Sequence, residues 1–503
     1  MNTIINLIDQ KFKVWLMFVL LLICFVGCED LNENPKGLTS PQTFYQTITQ
    51  CEGALAGSMS TLWGWYVSPG YGSGAGVGSW FSHDDQMEGG NLNIEPDHAS
   101  GLWIAHYRAL ININGLLAAV KNGSLKTAAT QVQIDQVVAQ AKFLRAFNYF
   151  YLVRMFGALP LITEETPDPI STPITSRTPV SQVYDLIVSD LIFAKDNMPS
   201  KTSLAGASPG RPTSGVAKGL LAKVYLTMAT APLNITANYA KAATLAKEVI
   251  DGAEYALIPT IWAVFLKSNK YGSESMFSLN SSADDLQTDV LGGKPNEING
   301  YGGQSVSKYF DNTFVKQPRK DAYLMRYFLV PKTTGPPDTL FYDRDRAFDT
   351  NLPYIRKLYN EPYIALSEGF AGSSSNWFVL RYADILLIYA EAQNRENSGP
   401  NAASVAAINQ IIRRANGGTT GTGKEALATI GMSMQAFEDK VIQERSWELC
   451  FELGDRWFDL VRKRMLDKVF ASNPDAAANF TPDDYLYPIP TFDAVTIGQN
   501  PGY

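Results

Sequence analysis

The sequence predicts a mainly α-helical fold, built from paired helices and interrupted by long irregular loops that carry little β-strand. Three observations indicate this all-α class. Apolar residues recur at three- and four-residue steps through most of the chain, which is the period of one helix face. Consecutive helices alternate small residues with large ones, as tetratricopeptide-type pairs do. Residues 259–376 are instead rich in Gly, Ser, Asn, Asp and aromatic side chains, and no helical period is sustained there.

The N-terminal residues predict an exported protein with a lipid anchor. Lys11 and Lys13 precede an apolar run that is too short to span a bilayer as a stable helix and is typical of a signal peptide. Gly27 and Cys28 end this run and resemble a bacterial lipobox. We therefore expect residues 1–27 to be removed and Cys28 to carry the lipid, each buried methylene adding roughly 0.8 kcal/mol of membrane affinity. A longer uncleaved anchor is the alternative.

The residues behind Cys28 predict a solvated tether over 28–40, because Glu29, Asp30 and Glu33 are acidic where a buried segment would be apolar. Acidic residues at this place also resemble the surface-export signal of Bacteroidetes lipoproteins. We expect a single helical domain over 41–503 to follow the tether.

The composition limits partners and cross-links. Lys and Arg number 42 and Asp and Glu number 49, which gives a formal net charge of −7. No basic face is evident, so no nucleic-acid partner is predicted. Cys51 and Cys450 remain after the signal is removed and Cys28 is lipidated, and both lie on predicted helix faces. Burial of both as free thiols is the favoured interpretation, and a disulfide between them stays open.

The helices of the N-terminal half, 41–258, begin with Ser40 as N-cap and Pro41 at the first helical position, and the apolar stripe of this first helix ends at Leu62. In the C-terminal half, 259–503, regular helices resume at Phe378, after the irregular insert. The other helices predicted in the N-terminal half span residues 102–120, 131–156, 179–197, 214–228 and 239–251.

Helix pairing is predicted from the small and large residues of neighbouring helices. Alanines such as Ala222 and Ala390 let helices approach closely, while Tyr225 and Tyr389 fill the gaps between them. The predicted pairs are 215–228 with 239–250, 381–394 with 402–414, and 139–156 with 180–197.

Sequence motifs typical of catalysis occur without the neighbouring elements and residues that they require, so no enzyme activity and no catalytic residue are predicted. Residues 206–210 match the Gly-x-Ser-x-Gly pattern of a hydrolase, but no buried strand precedes them. The three histidines, His83, His98 and His106, all lie upstream, whereas that hydrolase order needs a histidine after the serine.

Metal and cofactor sites are not predicted either. His83, Asp84 and Asp85 have the chemistry to ligate a hard cation, and a structural calcium would suit such a loop, but no EF-hand spacing supports it. Three histidines without ligand spacing argue against zinc.

Two aromatic-rich regions form the candidate ligand site. Six rings fall within residues 63–81, which we place on a loop beyond the first helix. Sugar rings present apolar C–H faces that stack on flat aromatic surfaces, while nearby carboxylates bind hydroxyl groups. Rings of the insert complete this site if the two regions meet, and the alternative is that the rings only pack the loops onto the helices. The candidate ligand-binding residues are Trp63, Trp65, Tyr66, Tyr71, Trp80, Phe81, Asp84, Asp85, Tyr301 and Trp377.

Several blocks spread over the chain resemble the SusD/RagB family of outer-membrane nutrient-binding lipoproteins. The two aromatic regions lie outside these blocks, so the resemblance transfers no substrate. The blocks are AKFLRAFNYFYLVRMFG at 141–157 with LPL at 159–161, RPTSG at 211–215, RYADILLIYAEA at 381–392, RWFDL at 456–460 with the acidic residues just before it, YPIP at 487–490 and QNPGY at 499–503.

The resemblance implies a helical superhelix that lies as a lid on a SusC-like TonB-dependent transporter. It implies a lipid-anchored protein of the outer membrane that faces the cell exterior and delivers an oligosaccharide or polysaccharide, or in some members a peptide, without chemistry. A periplasmic interaction scaffold and, least favoured, a glycoside hydrolase are the alternatives.

The block that contains RWFDL, together with the acidic residues before it, is predicted to have a structural role. Glu444, Glu448, Glu452 and Arg456 recur every four residues, on what is predicted to be one helix face, and Asp459 can pair with Arg462 one turn on. Three acids in a row repel each other unless cations come from elsewhere, and Arg445, Arg381 and Arg145 are candidates for a partly buried network. Trp447 and Trp457 are predicted to lie in the core.

Overall fold

The computed structural model describes most of the helical chain and parts of the irregular insert. Contacts between Cα atoms group Tyr45–Tyr503 into one compact unit, which is the unit discussed below, and Met1–Phe44 into another. Apart from Trp15, the predicted signal peptide, Cys28 and the tether lie outside the described residues. The described residues are 15, 44–66, 81–82, 97–125, 129–166, 173–204, 210–280, 304–306, 308–315, 318–325, 327–330, 334–335, 338–341, 353–357, 376–418, 424–453, 455–471 and 474–503.

Helices dominate these residues, which confirms the predicted fold class. None of the helices in the described part of the chain is both long and apolar enough to cross a bilayer. Those of the first half are α1 (Ile48–Tyr66), α2 (Asp97–Lys121), α3 (Gln131–Phe156), α4 (Val180–Asn197), α5 (Lys201–Leu204), α6 (Ser214–Met228) and α7 (Asn238–Asp251). Those of the second half are α8 (Lys308–Thr313), α9 (Pro318–Tyr323), α10 (Tyr382–Glu396), α11 (Ala402–Ala415), α12 (Met434–Glu448), α13 (Asp455–Arg462), α14 (Leu466–Phe470), α15 (Pro474–Asn479) and α16 (Thr491–Ile497).

The strands are short and pair antiparallel, two at a time. The pairs among the described residues are β1 with β3, β2 with β8, β4 with β7, and β5 with β6. The strands are β1 (Phe81–Ser82), β2 (Ser275–Leu279), β3 (Gln304–Ser305), β4 (Leu324–Met325), β5 (Tyr327–Val330), β6 (Asp338–Phe341), β7 (Tyr354–Ile355) and β8 (Trp377–Arg381).

The predicted helix pairs are confirmed, because α3 packs on α4, α6 on α7, and α10 on α11. Helices α7 and α6 also pack on α10, which joins the first half to the second. Ala222 and Ala390 are fully buried where these helices approach each other, and Tyr225 and Tyr389 keep only 9% and 7% of their surface exposed.

Local capping explains where two of the helices begin. Thr130 accepts a hydrogen bond from the Gln133 amide, and the Gln133 side chain returns to the Thr130 backbone, so α3 begins with a capping box. Asn401 and Ser404 do the same for α11.

Several sequence predictions about helix bounds were wrong. The first helix does not run on from Pro41 but begins at Ile48, where the Thr47 hydroxyl accepts a hydrogen bond from the Gln50 amide, and residues 45–47 are not helical. The first helix continues through Trp63, Trp65 and Tyr66, so these residues occupy its last turn and not a loop. Phe378 does not begin a helix but lies in β8, whose five residues are all buried. A strand buried on both faces shows no polar alternation, so its sequence resembles that of a buried helix.

A further wrong prediction concerns the acidic block. Helix α12 ends at Glu448, and Phe451 and Leu453 then take positive φ angles of 61° and 33°, so Glu452 does not share a helix face with Glu444. Trp447 and Trp457 lie in the core as predicted, with 5% and 2% of their surfaces exposed.

Both remaining cysteines are buried free thiols, which confirms the favoured interpretation. Cys51 lies on α1, whereas Cys450 lies in the turn after α12 and not on a helix. Burial raises the pKa of each thiol to about 11, so neither is poised for thiolate chemistry at neutral pH.

Candidate functional site

The two aromatic-rich regions meet at the ladder between β1 and β3. Phe81 lies opposite Ser305 and Ser82 lies opposite Gln304, so the end of the first region pairs directly with the insert. The sequence left this meeting conditional, and the strand pairing establishes it. The first region starts on the last turn of α1 and returns to the insert at Phe81.

The insert continues this ladder into a small platform, which we define as residues 304–306, 318–325 and 353–357. The Val306 amide donates to the Pro353 carbonyl at 2.7 Å, which ties β3 to the start of β7. Strand β7 pairs with β4, Leu324 lying opposite Ile355. The Arg356 amide then donates to the Tyr323 carbonyl at 2.9 Å, so main-chain hydrogen bonds connect the ladder to α9.

An exposed aromatic ring lies beside the platform. Trp262 belongs to a 3-10 turn, Ile261–Ala263, that packs against α9, and 39% of its surface is exposed. The guanidinium carbon of Arg356 lies 4.6 Å from the centroid of the indole, a cation–π contact that attaches the ring to the platform. The sequence prediction missed Trp262, although its place in the aromatic-rich insert is the same signal that selected the other rings.

The structure places the predicted site residues unevenly. The backbone positions of Trp63, Trp65, Tyr66 and Phe81 are described, on α1 and β1. Tyr71, Trp80, Asp84, Asp85 and Tyr301, together with His83, lie outside the described residues.

The prediction that Trp377 binds ligand was wrong. It lies in β8 opposite Leu279 of β2, and only 1% of its surface is exposed. The ring is buried, so it supports the fold and presents no face to a ligand.

A buried ion network lies beneath the platform. Arg319 of α9 is fully buried, with Nη1 at 2.5 Å from Glu444 Oε1 and at 3.0 Å from Glu448 Oε2. Arg414 and Arg381 approach the other oxygen of Glu448, at 2.7 and 3.0 Å. Such pairs in a low-dielectric interior require this full set of partners, because removing one leaves a charge uncompensated.

The pKa values of the two helix carboxyls diverge. Burial, together with the nearby carboxylates Glu425 and Glu448, raises the pKa of Glu444 to about 8 against the opposing charge of Arg319. Burial also disfavours ionisation of Glu448, but the charges of Arg414, Arg381 and Arg319 outweigh it and hold its pKa well below the usual range.

Of the three arginines proposed as partners of the acidic block, only Arg381 has that role. It forms a fork with Glu452, at 2.8 and 2.9 Å, and a further bond to Glu274. Arg445 pairs with Asp384 and Asp459, and Arg145 with Asp190 and Glu164. The predicted pair of Asp459 with Arg462 is confirmed at 2.8 Å.

The described titratable groups of this network are held by hydrogen bonds and ion pairs inside the protein, which is typical of a structural role. No group of three His, Cys, Asp or Glu side chains with the geometry to hold a metal occurs among the residues that the structure describes. His106 is fully buried against Asn148, where it cannot reach a substrate. The absence of a cofactor stays a prediction.

Comparisons with known proteins cover both halves of the site. The sequence profile of the SusD family matches residues 260–503, which include β3 and the platform. A second profile, described as starch-binding associating with outer membrane, matches residues 74–226, which include β1.

Individual relatives span nearly the whole chain. SusD-like protein P2 of Formosa agariphila is 30% identical over 98% of this chain and 100% of its own length. The crystal structure of a SusD homolog from Bacteroides thetaiotaomicron has a TM-score of 0.77 at 22% identity, covering 92% of this chain and 98% of its own. A crystal structure with xylogluco-oligosaccharide has a TM-score of 0.71 at 19% identity, covering 89% of this chain and 97% of its own.

Proposed function

The chain belongs to the SusD family, and from this premise we propose that it is a cell-surface lipoprotein that binds a glycan and delivers it to a SusC-like TonB-dependent transporter. The observation that carries the proposal is the β1–β3 ladder. It brings the end of an aromatic-rich segment, 63–81, against the aromatic-rich insert, and it does so on a rigid helical scaffold.

The chemistry of this place suits a sugar. Aromatic rings offer flat apolar faces for the C–H faces of pyranose rings, and Trp262 is a partly exposed ring beside the platform that contacts Arg356. The carboxylates of Asp84 and Asp85, which follow β1 directly in sequence, would accept hydrogen bonds from hydroxyl groups. The relative solved with a xylogluco-oligosaccharide supports a glycan over a peptide as the ligand class.

Binding without chemistry is the consistent interpretation of the described charges. Glu444 and Glu448 are neighbouring carboxyls that contact the platform residue Arg319, and both are fully buried. A glycosidase needs two carboxyls that flank a bond in an open cleft. The buried pair cannot take that role, so we propose that the protein binds its ligand and leaves it intact.

A glycan panel tests the ligand class. We expect a chain that begins after Cys28 to bind one class of oligosaccharide in calorimetry, and to release no reducing ends during the incubation. Replacing Trp63, Trp65 and Trp80 together by Ala should raise Kd by about ten-fold or more, which is roughly 1.4 kcal/mol.

Phe492→Ala is the matched control, because Phe492 is an aromatic residue with 89% of its surface exposed and lies on α16, outside both aromatic regions. Its Kd should equal that of the parent. Unchanged affinity in the triple variant would overturn the assignment of the site, and binding of peptides alone would replace the ligand class.

The anchor and the partner are tested in cells. We expect Cys28→Ser to release the protein from the membrane fraction, and an affinity tag on the parent to co-purify a TonB-dependent transporter from detergent extracts. Protease added to intact cells should digest the parent protein. Protection in intact cells would favour the periplasmic interaction scaffold.

A further inference from the structure

We propose that Arg319 and Lys357 are positioning residues, whose buried cations fix the platform on helix α12 and thereby set the place of the β1–β3 ladder. The link from the ladder to ligand affinity rests on the proposed function. The link from the two cations to the position of the ladder does not depend on it.

The two cations flank the β4–β7 pair. Arg319 lies on α9, whose last residue, Tyr323, directly precedes β4, and Lys357 follows β7 by two residues. Each strand of this pair is therefore attached to a buried cation, and both cations reach the same end of α12.

Arg319 makes a bidentate contact with Glu444 of α12. Besides its bonds through Nη1, its Nη2 lies 3.1 Å from Glu444 Oε2 and 3.3 Å from Glu425 Oε2, and no part of the side chain is exposed. A planar guanidinium that holds one carboxyl group through two nitrogens fixes direction as well as distance. Arg319 thus orients α9 on α12.

Lys357 binds the C-terminal end of α12. Its Nζ donates to the Glu448 carbonyl at 2.7 Å and to the Cys450 carbonyl at 2.9 Å, and it lies 2.5 Å from Glu452 Oε1. The last carbonyls of a helix lack partners within the helix and carry its negative dipole end, so a cation is the favoured group there. Tyr323 adds a third attachment, because its hydroxyl donates to Glu448 Oε1 at 3.0 Å.

The ladders themselves are too short to hold their position. Strands β1, β3, β4 and β7 are two residues long. An isolated two-stranded pair is marginally stable in water even when it is longer. The β1–β3 pair is joined to the β4–β7 pair by the hydrogen bond from Val306 to Pro353, so its position depends on that pair. The β4–β7 pair is in turn attached to the C-terminal end of α12, which therefore has to fix the position of both pairs.

Hydrogen exchange in solution tests the position of the ladder. In Arg319→Met, the amides of peptides that cover 304–306 and 353–357 should exchange at least ten-fold faster than in the parent, while the amides of α3 and α6 keep their rates. In Arg319→Lys the acceleration should be smaller, because lysine restores the charge without the fork.

Arg145→Met is the matched control. Arg145 is equally buried and makes a fork on Asp190, at 2.7 and 2.9 Å, but it lies on α3 and contacts no platform residue among those described. All variants are compared at denaturant concentrations that give equal unfolded fractions. With the glycan found for the parent, Kd should rise at least ten-fold in Arg319→Met and less than two-fold in Arg145→Met.

If Arg319→Met and Arg145→Met have equal effects on hydrogen exchange in the platform and on Kd, Arg319 has only a structural role and the proposal is overturned. If Arg319→Met does not fold, Lys357→Met carries the same test, and normal exchange at 304–306 in that variant also overturns it. A parent that binds no glycan contradicts the proposed function alone, since the exchange measurement still decides whether the two cations position the ladder.

Discussion

His106 shows how burial decides the chemistry of a single side chain. The Asn148 amide nitrogen donates to the Leu144 carbonyl at 2.7 Å, so its oxygen, 2.8 Å from His106 Nδ1, accepts from the imidazole. Burial, helped by the charge of Arg154 and opposed by the bond to Asn148, lowers the pKa of His106 to about 4. The imidazole is therefore neutral at neutral pH.

This neutral histidine predicts a pH-dependent stability. Between pH 6.5 and 4 the unfolded chain takes up a proton at residue 106 that the folded chain does not, so the free energy of unfolding falls as the pH falls. A shift of this size contributes roughly 3 kcal/mol. Urea unfolding at pH 7 and pH 4.5 measures the difference.

His106→Gln is the control, because glutamine keeps a side-chain donor and does not titrate. The variant should lose less stability between the two pH values than the parent, by about 2 kcal/mol or more. An identical loss in both proteins would show that His106 is protonated in the folded state or that other groups dominate.

At the scale of the residue, what the sequence could predict depended on how local the cause was. The pairing of Asp459 with Arg462 lies within one helical turn, so spacing alone found it. The burial of Trp377 depends on β2, which lies far earlier in the chain, and no local pattern carries that information. Trp262 was missed for the converse reason, since its exposure is set by α9 and by Arg356.

At the scale of the element, the close packing of α6 against α10 and β8 depends on Gly219. A Cβ on Gly219 of α6 would lie 2.8 Å from Ile385 Cδ1 and 2.9 Å from Leu380 Cδ2, which belong to α10 and β8. We expect Gly219→Ala to lower the free energy of unfolding by about 1–2 kcal/mol, because overpacking outweighs the gain in helix propensity. Thermal or urea unfolding measures the change.

Gly57 provides the matched helix position. It also lies inside a helix, α1, but a Cβ there would meet nothing within 4 Å. Gly57→Ala should therefore raise the free energy of unfolding by roughly 0.5–1 kcal/mol through helix propensity alone. A similar gain in Gly219→Ala would mean that α6, α10 and β8 move apart without cost.

The helices were predictable because their signals lie within the helix. Predicted and observed bounds of α3 agree at both ends, and those of α4, α6 and α7 agree within one residue. The same reasoning failed at the end of α12, because the positive φ angles of Phe451 and Leu453 are imposed by tertiary contacts and not by glycine. It failed at β8 because a fully buried strand has no alternation.

At the scale of the whole molecule, the scaffold was predictable and the geometry of the site was not. Helix pairing follows from residue sizes along the chain, so three helix pairs could be inferred from the alternation of small and large residues. The meeting of the aromatic regions depends on pairing Phe81 with Ser305, two residues that no sequence pattern connects. The identity of the proposed glycan ligand was not predictable either, because the shared stacking chemistry of sugars does not specify it.

The two halves of the chain are joined by a buried run of charges. Lys223 of α6 lies 2.9 Å from Asp384 Oδ2 on α10 and 2.5 Å from Asp455 Oδ1 on α13. Arg445 of α12 bridges Asp384 to Asp459, each at 2.7 Å. One helix of the first half is thus tied to three helices of the second through side chains that are all less than one-tenth exposed.

Lys223→Met should therefore destabilise the whole molecule. It leaves Asp384 and Asp455 sharing one fewer cation in the interior, which costs about 3–5 kcal/mol. Asp455 already resists ionisation, since burial and the charge of Asp384 raise its pKa to about 6 despite Lys223. Adding Asp455→Asn to Lys223→Met should then restore at least about 1 kcal/mol, a coupling that a double-mutant cycle measures.

The control for this run of charges is Lys247→Met, which breaks the exposed pair of Lys247 with Asp251 on α7, also at short distance, 2.6 Å. Exposed pairs are screened by water and add little, so its unfolding midpoint should match that of the parent. Because Lys223 joins both halves, its loss should shift the midpoint of probes in each half together. A loss of stability in Lys223→Met no larger than that in Lys247→Met would show that packing of α6 and α7 on α10 holds the halves together without these charges.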